Sequence, residues 1–298
     1  VTSNGLALEY ASDELKADRE IVLAALKTSS HKIVLPFADE ILKGDREIVL
    51  AAVQSRGDSL KYASDHLKTD REVVLTAVQS RGDSIQYAAN ELKADRTIVL
   101  AALKSSYGSE LSSLLEIVDK KLMTDREVAL ACVKKNSDTL QYIDDKLKAD
   151  REIVLACVDE NAEALQYADK ELKADRDVVI AAVKRDGLAL RYAEKELRDD
   201  RDVVLVALER NHTALRYTDN KEIVLSCVGK NGDHLEYAND KLKADREVVL
   251  KAINSNNHRY HQIPSLLEMT SAEVKADREV INTAVKADGL ALQYAEGS

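Results

Sequence analysis

The chain has no tryptophan and a single phenylalanine among 298 residues, which excludes a large core organised around aromatic rings. Only two prolines and ten glycines interrupt it, few enough for a chain that is mostly helix. Three cysteines, with no CxxC and no Cys/His cluster, exclude a disulfide framework and favour a reducing intracellular compartment. No apolar run approaches the roughly 18 residues of a membrane span. Basic charge is also in deficit. With 43 Lys and Arg against 53 Asp and Glu, the net charge of -10 opposes a broad phosphate-binding surface, and nucleic acid is not an expected partner.

What the chain does contain is repetition. An Asp-Arg-Glu phrase followed by six apolar residues begins at Asp18, Asp45, Asp70, Asp95, Asp125, Asp150, Asp175, Asp200, Asn220, Asp245 and Asp277. Arg follows in ten of these eleven copies. Six of the ten intervals are 25 residues and the others are 27, 30, 20 and 32, a period that signals stacked helical units. The ten aspartates are read as N-caps, each followed by negative charge where the helix dipole favours it. Gly57, Gly82, Gly187, Gly232 and Gly289, twelve residues after the cap, are read as left-handed closures, with Asn136, Asn161 and Asn211 substituting one residue earlier. A run such as "IVLAAL" covers the whole circumference of a helix, so this first helix is expected to be enclosed on nearly all sides.

A second helix is expected from the stripe Leu60, Ala63 and Leu67, with Tyr62 at its edge and its hydroxyl bonded into the inter-helix turn. Neither helix is long enough to stand alone in water, so the copies must stack. The expected fold is all-α, an α-solenoid of about eleven two-helix repeats forming a single array over 1–298. Because the phrase both opens and closes the chain, the array is expected to be an excerpt of a longer one.

The joint recurrence of Asp-Arg-Glu, the glycine and Leu-x-Tyr-Ala resembles the short helical repeat known as "domain of unknown function 4116", over essentially the whole chain. The resemblance implies an all-helical repeat and carries no established activity.

Three long intervals place insertions near 28–34, 105–113 and 254–265, all between the two helices of a copy, where Phe37, Ile117 and Met269 replace the tyrosine. Pro36 and Pro264 fall there too, near a helix start where a missing N–H costs little. A shortened copy near 217–221 loses the last turn of its second helix. The insertions carry the candidate partner contacts: Tyr107 and Glu110 in one, and His258, Arg259, Tyr260 and His261 in another. The two histidines form the one HxxH, but without a nearby thiolate or carboxylate they make a weak metal site, and a solvated loop is the plainer reading. Cys132, Cys157 and Cys227 occupy a position that other copies fill with Ala, and are read as packing. Ten identical catalytic pairs would be redundant, so the Asp-Arg pairs are read as caps and as a ladder setting the register between copies.

No catalytic residue, metal or cofactor is assigned. The expected role is a non-catalytic scaffold that binds other proteins or spaces the components of a larger assembly. The alternatives are a helical repeat reading single-stranded nucleic acid through the variable residue before the tyrosine, and, third, an enzyme or effector domain.

Overall fold

A computed structural model describes residues 5–28, 32–106, 110–255 and 263–295. Among them there is no strand, and the chain is an all-α repeat array. It divides into two compact units, Val1–Leu147 and Lys148–Ser298. Each is built the same way, from repeats whose long helices pack against those of the adjacent repeats.

The second repeat serves as the pattern. Asp45 caps the long helix Arg46–Ser55, its carboxylate accepting from the backbone N–H of Glu47 and Ile48 at 3.0 and 3.1 Å. Ile48, Val49, Ala52 and Val53 are buried to 1% exposure or less, whereas Leu50 and Ala51 are only half-buried. The enclosure is therefore partial. At about 100° per residue, four of six consecutive apolar side chains face neighbouring helices and two reach the rim.

The expected second helix is not continuous. A 3₁₀ helix runs over Gly57–Tyr62, Ala63 and Ser64 are extended (φ -68°, ψ 151° and φ -62°, ψ 155°), and a short α-helix follows over Asp65–Lys68. Leu60, Ala63 and Leu67 are nonetheless all buried. The break has a tertiary cause. It turns the Ser64 N–H onto the Lys43 carbonyl of the preceding repeat at 3.0 Å. The same bond links Asp39 to Lys16, Ala89 to Lys68, Asp144 to Met123, Asp169 to Lys148 and Glu194 to Lys173. A continuous helix would have spent that N–H on itself.

Gly57 does not take the left-handed closure. Arg56 before it is extended (φ -155°, ψ 112°), and the glycine opens the 3₁₀ helix against the next repeat. A Cβ placed there would stand 2.2 Å from the Ala77 carbonyl oxygen, so the residue is needed for close approach, not for a special φ. Nor do the asparagines close a left-handed turn: Asn136, Asn161 and Asn211 cap the following 3₁₀ helix, accepting from the N–H two residues on.

A third link is electrostatic. Arg46 pairs with Asp70 at 2.8 Å and with Glu72, Arg71 with Asp95 at 2.9 Å, and Arg151 with Asp175 and Asp177 at 3.2 and 3.0 Å. Lys221 does the same for Asp245 and Glu247. The register survives the insertions, since Arg96 still reaches Asp125 at 2.8 Å and Arg246 reaches Asp277 at 2.9 Å. In the shortened repeat the 3₁₀ helix His212–Tyr217 is followed almost at once by Lys221–Lys230, and buried Thr218 and the amide of Asn220 bond to Asp199.

Candidate interaction surface

Ten Asp caps recur because every long helix leaves N–H groups to satisfy, and all ten accept from the backbone N–H groups two and three residues on. Hydrogen bonds from those N–H groups and from the paired guanidinium or ammonium hold Asp70, Asp95, Asp125, Asp175 and Asp245 below the usual carboxylate range, against the opposing effect of partial burial. These groups are spent on structure.

Of the sequence candidates, Tyr107, His258, Arg259, Tyr260 and His261 lie outside the described residues, and Glu110 is the first residue of an α-helix, Glu110–Ile117. Within the segment expected as a loop at 105–113, Ser105 ends the helix Arg96–Ser105 and 110–113 open the next helix. Ser106, Leu111 and Leu114 are buried, as is Val118 just beyond the helix. The reason is the apolar pair Leu111 and Leu114, three residues apart on one helical face. Likewise Ser255, Ile263 and Pro264, within the last insertion at 254–265, are buried, with Pro264 second in the helix Ile263–Glu268.

The helix Glu110–Ile117 borders an open cleft of about 530 Å³. Leu115, Met123 and Ile143 give it an apolar floor, Tyr142 stands beside them with 62% of its surface exposed, and Glu116, Asp144, Asp145 and Lys120 form the rim. Three carboxylates against one ammonium leave the rim acidic. A departure from the Leu-x-Tyr-Ala phrase marks this place: Ile143 and Val118 stand where Ala63, Ala88, Ala168 and Ala193 occupy the break after the 3₁₀ helix.

A second, polar cleft of about 340 Å³ lies beside the shortened repeat, where the rings of His212 and His234 meet edge to face with centroids 4.8 Å apart. Among the described residues no group of three or more His, Cys, Asp or Glu is placed to hold a metal. Burial pushes the thiols of Cys132 and Cys157 up to about 12, so neither is a nucleophile at neutral pH. The expected tyrosine hydroxyl bond into the turn is not met at Tyr10 and Tyr142, whose surfaces are 86% and 62% exposed. Tyr192 instead accepts from Arg191, the residue just before it.

A family model described as "Domain of unknown function (DUF4116)" matches residues 1–43, 29–68, 70–123, 125–173, 175–221 and 220–268. No curated protein and no solved structure matches the chain. No helix among the described residues is long and apolar enough to cross a membrane.

Proposed function

Because the chain belongs to the family of the domain of unknown function DUF4116, which assigns no activity, we propose from geometry alone that it is a non-catalytic scaffold binding partner proteins. The observation that carries this reading is the cleft beside Glu110–Ile117, which interrupts an otherwise repeated surface with an apolar floor and an acidic rim. Such a surface suits a partner segment that inserts one aliphatic or aromatic side chain between lysines or arginines. The ladders linking successive repeats hold the cleft walls in place, which lowers the ordering cost of binding.

Photo-crosslinking tests the reading. A photoreactive residue at Tyr142 is expected to give discrete protein adducts in the native setting, absent when the same residue replaces Tyr167, its counterpart one repeat later. Nuclease-sensitive adducts at 142 would favour the nucleic-acid alternative. Equal, featureless labelling at both positions would remove the binding role and leave a spacer.

A further inference from the structure

The seam between the repeats capped by Asp200 and Asn220 is built differently from the others. Elsewhere an arginine beside one cap reaches the carboxylate of the next, as Arg46 reaches Asp70. Asn220 carries no charge, and among the described residues no ion pair joins Arg201 to the helix that Asn220 caps. The Thr218 carbonyl is reached by the side-chain amide of Asn239 at 2.7 Å, where Ser64 uses its backbone N–H.

Two imidazoles meet at this seam instead. The rings of His212 and His234 lie edge to face with centroids 4.8 Å apart, beside the polar cleft of about 340 Å³. His234 stands fourteen residues after its cap, where other repeats carry Ser59, Ser84, Thr139, Ala164, Ala189 and Ala214, all at 3% exposure or less. A titratable ring thus occupies a place that elsewhere holds a small, sealed side chain. The helix behind it is less well covered. Cys227 is half-buried, whereas Cys132 and Cys157, at the same position in their repeats, are at 0% exposure.

Burial and, next, the neighbouring His212 hold His234 below the ordinary histidine value, against its hydrogen bond to the Cys227 carbonyl and the charges of Asp233 and Glu236. No Lys or Arg lines the cleft; Asp233, Glu236 and Tyr237, whose ring is 6.2 Å from that of His234, do, with Asn211 from the end of Arg201–Arg210. On Lys221–Lys230, Lys230 lies near Cys227, and on Arg246–Ile253 the stem of Lys251 lies against Gly229. Ser265 and Leu266 of Ile263–Glu268 meet Asp233 and Glu236 without a charge of their own. On the far side, Arg191 of Gly187–Tyr192 is engaged with Glu163 and Tyr192.

We propose that this seam is a pH-sensitive joint, in which neutral His212 and His234 keep the 3₁₀ helices His212–Tyr217 and Gly232–Tyr237 in contact and charging the pair drives them apart. Two like charges about 5 Å apart repel, and no guanidinium–carboxylate rung joins Arg201 to the next cap to oppose them. Because the closed seam holds His234 below 6.5, the opened chain binds more protons. The contact is therefore intact above about pH 6.5 and weakens as pH falls through the depressed value. That loss begins above the window of the cap aspartates. The joint is separate from the cleft beside Glu110–Ile117, which neither histidine lines.

Hydrogen exchange of the whole chain at about pH 7.5 and about pH 5.5, corrected for the intrinsic dependence of exchange on pH, is the test. Protection of Lys221–Lys230 and Gly232–Tyr237 should fall about two- to fourfold at the lower pH, the size of a screened like-charge contact in water, while Arg176–Arg185 is unchanged. His234→Ala, which restores the side chain found at Ala214, should abolish the fall. Should that variant misfold, His212→Gln decides, because it keeps a polar side chain without the titrating charge and should also abolish it. Equal protection at both pH values overturns the proposal, as does a fall that His212→Gln leaves undiminished.

Discussion

Replacing Gly187 by alanine isolates the steric seam between repeats. Its new Cβ would stand 2.2 Å from the Ala207 carbonyl oxygen, 3.0 Å from the Ala207 carbonyl carbon and 3.2 Å from the Asn211 nitrogen. All three are backbone atoms, and the carbonyl already accepts from the Asn211 N–H at 2.9 Å, so no rotamer change relieves the clash. The helix Arg201–Arg210 must retreat by roughly 1 Å to restore contact distance, at a cost of about 1–3 kcal/mol. Against this stands a gain of about 0.4–1 kcal/mol from reduced freedom of the unfolded chain. The net expectation is a destabilisation of about 1–2 kcal/mol. Gly289→Ala is the internal control, because it has the same chemistry with nothing to strike and should be neutral or slightly stabilising. Urea denaturation followed by circular dichroism measures both, and hydrogen exchange should place the loss at Arg176–Arg185 and Arg201–Arg210. If Gly187→Ala proves no less stable than Gly289→Ala, the close-approach account of these glycines is wrong.

Three further expectations concern the links and the buried thiols. Asp95→Ala removes the acceptor for the N–H groups of Thr97 and Ile98 and should cost about 1–2 kcal/mol, whereas Arg71→Ala removes only an exposed ion pair and should cost about 1 kcal/mol or less; paired urea titrations distinguish them. The cap aspartates have folded-state values below the 3.8 of the free side chain, so the unfolded chain binds more protons in that window. Their contribution is complete above about pH 4 and is lost as pH falls through the depressed values, which melting temperatures measured from pH 6 to pH 2 should record as an acid-side decline. Alkylation of the native protein at pH 8, read by mass spectrometry, should label half-buried Cys227 well before Cys132 and Cys157; equal rates would contradict their burial.

Much of the seam was legible because its signals are local. An Asp before an apolar run, with Arg beside it, marks both a cap and the donor for the next copy, and the repeat spacing carries that donor to the next cap even across insertions. The cleft was not legible in the same way. Its position depends on Leu111 and Leu114 drawing 110–117 into a helix, and on Ile143 replacing the alanine of the Leu-x-Tyr-Ala phrase. Of the contact residues chosen from the insertions, Glu110 begins that helix, and the others lie outside the described residues.

By itself the sequence determined the repeating unit, where each long helix starts, and that each unit offers an apolar face for a neighbour to cover. These follow from short-range rules of capping, helical period and apolar spacing. Only the tertiary structure decided that the stripe Leu60, Ala63 and Leu67 is broken at Ala63 and Ser64, and that Gly57 is there for contact. Both depend on atoms of another repeat, the Lys43 carbonyl waiting for an N–H and the Ala77 carbonyl leaving no room for a Cβ.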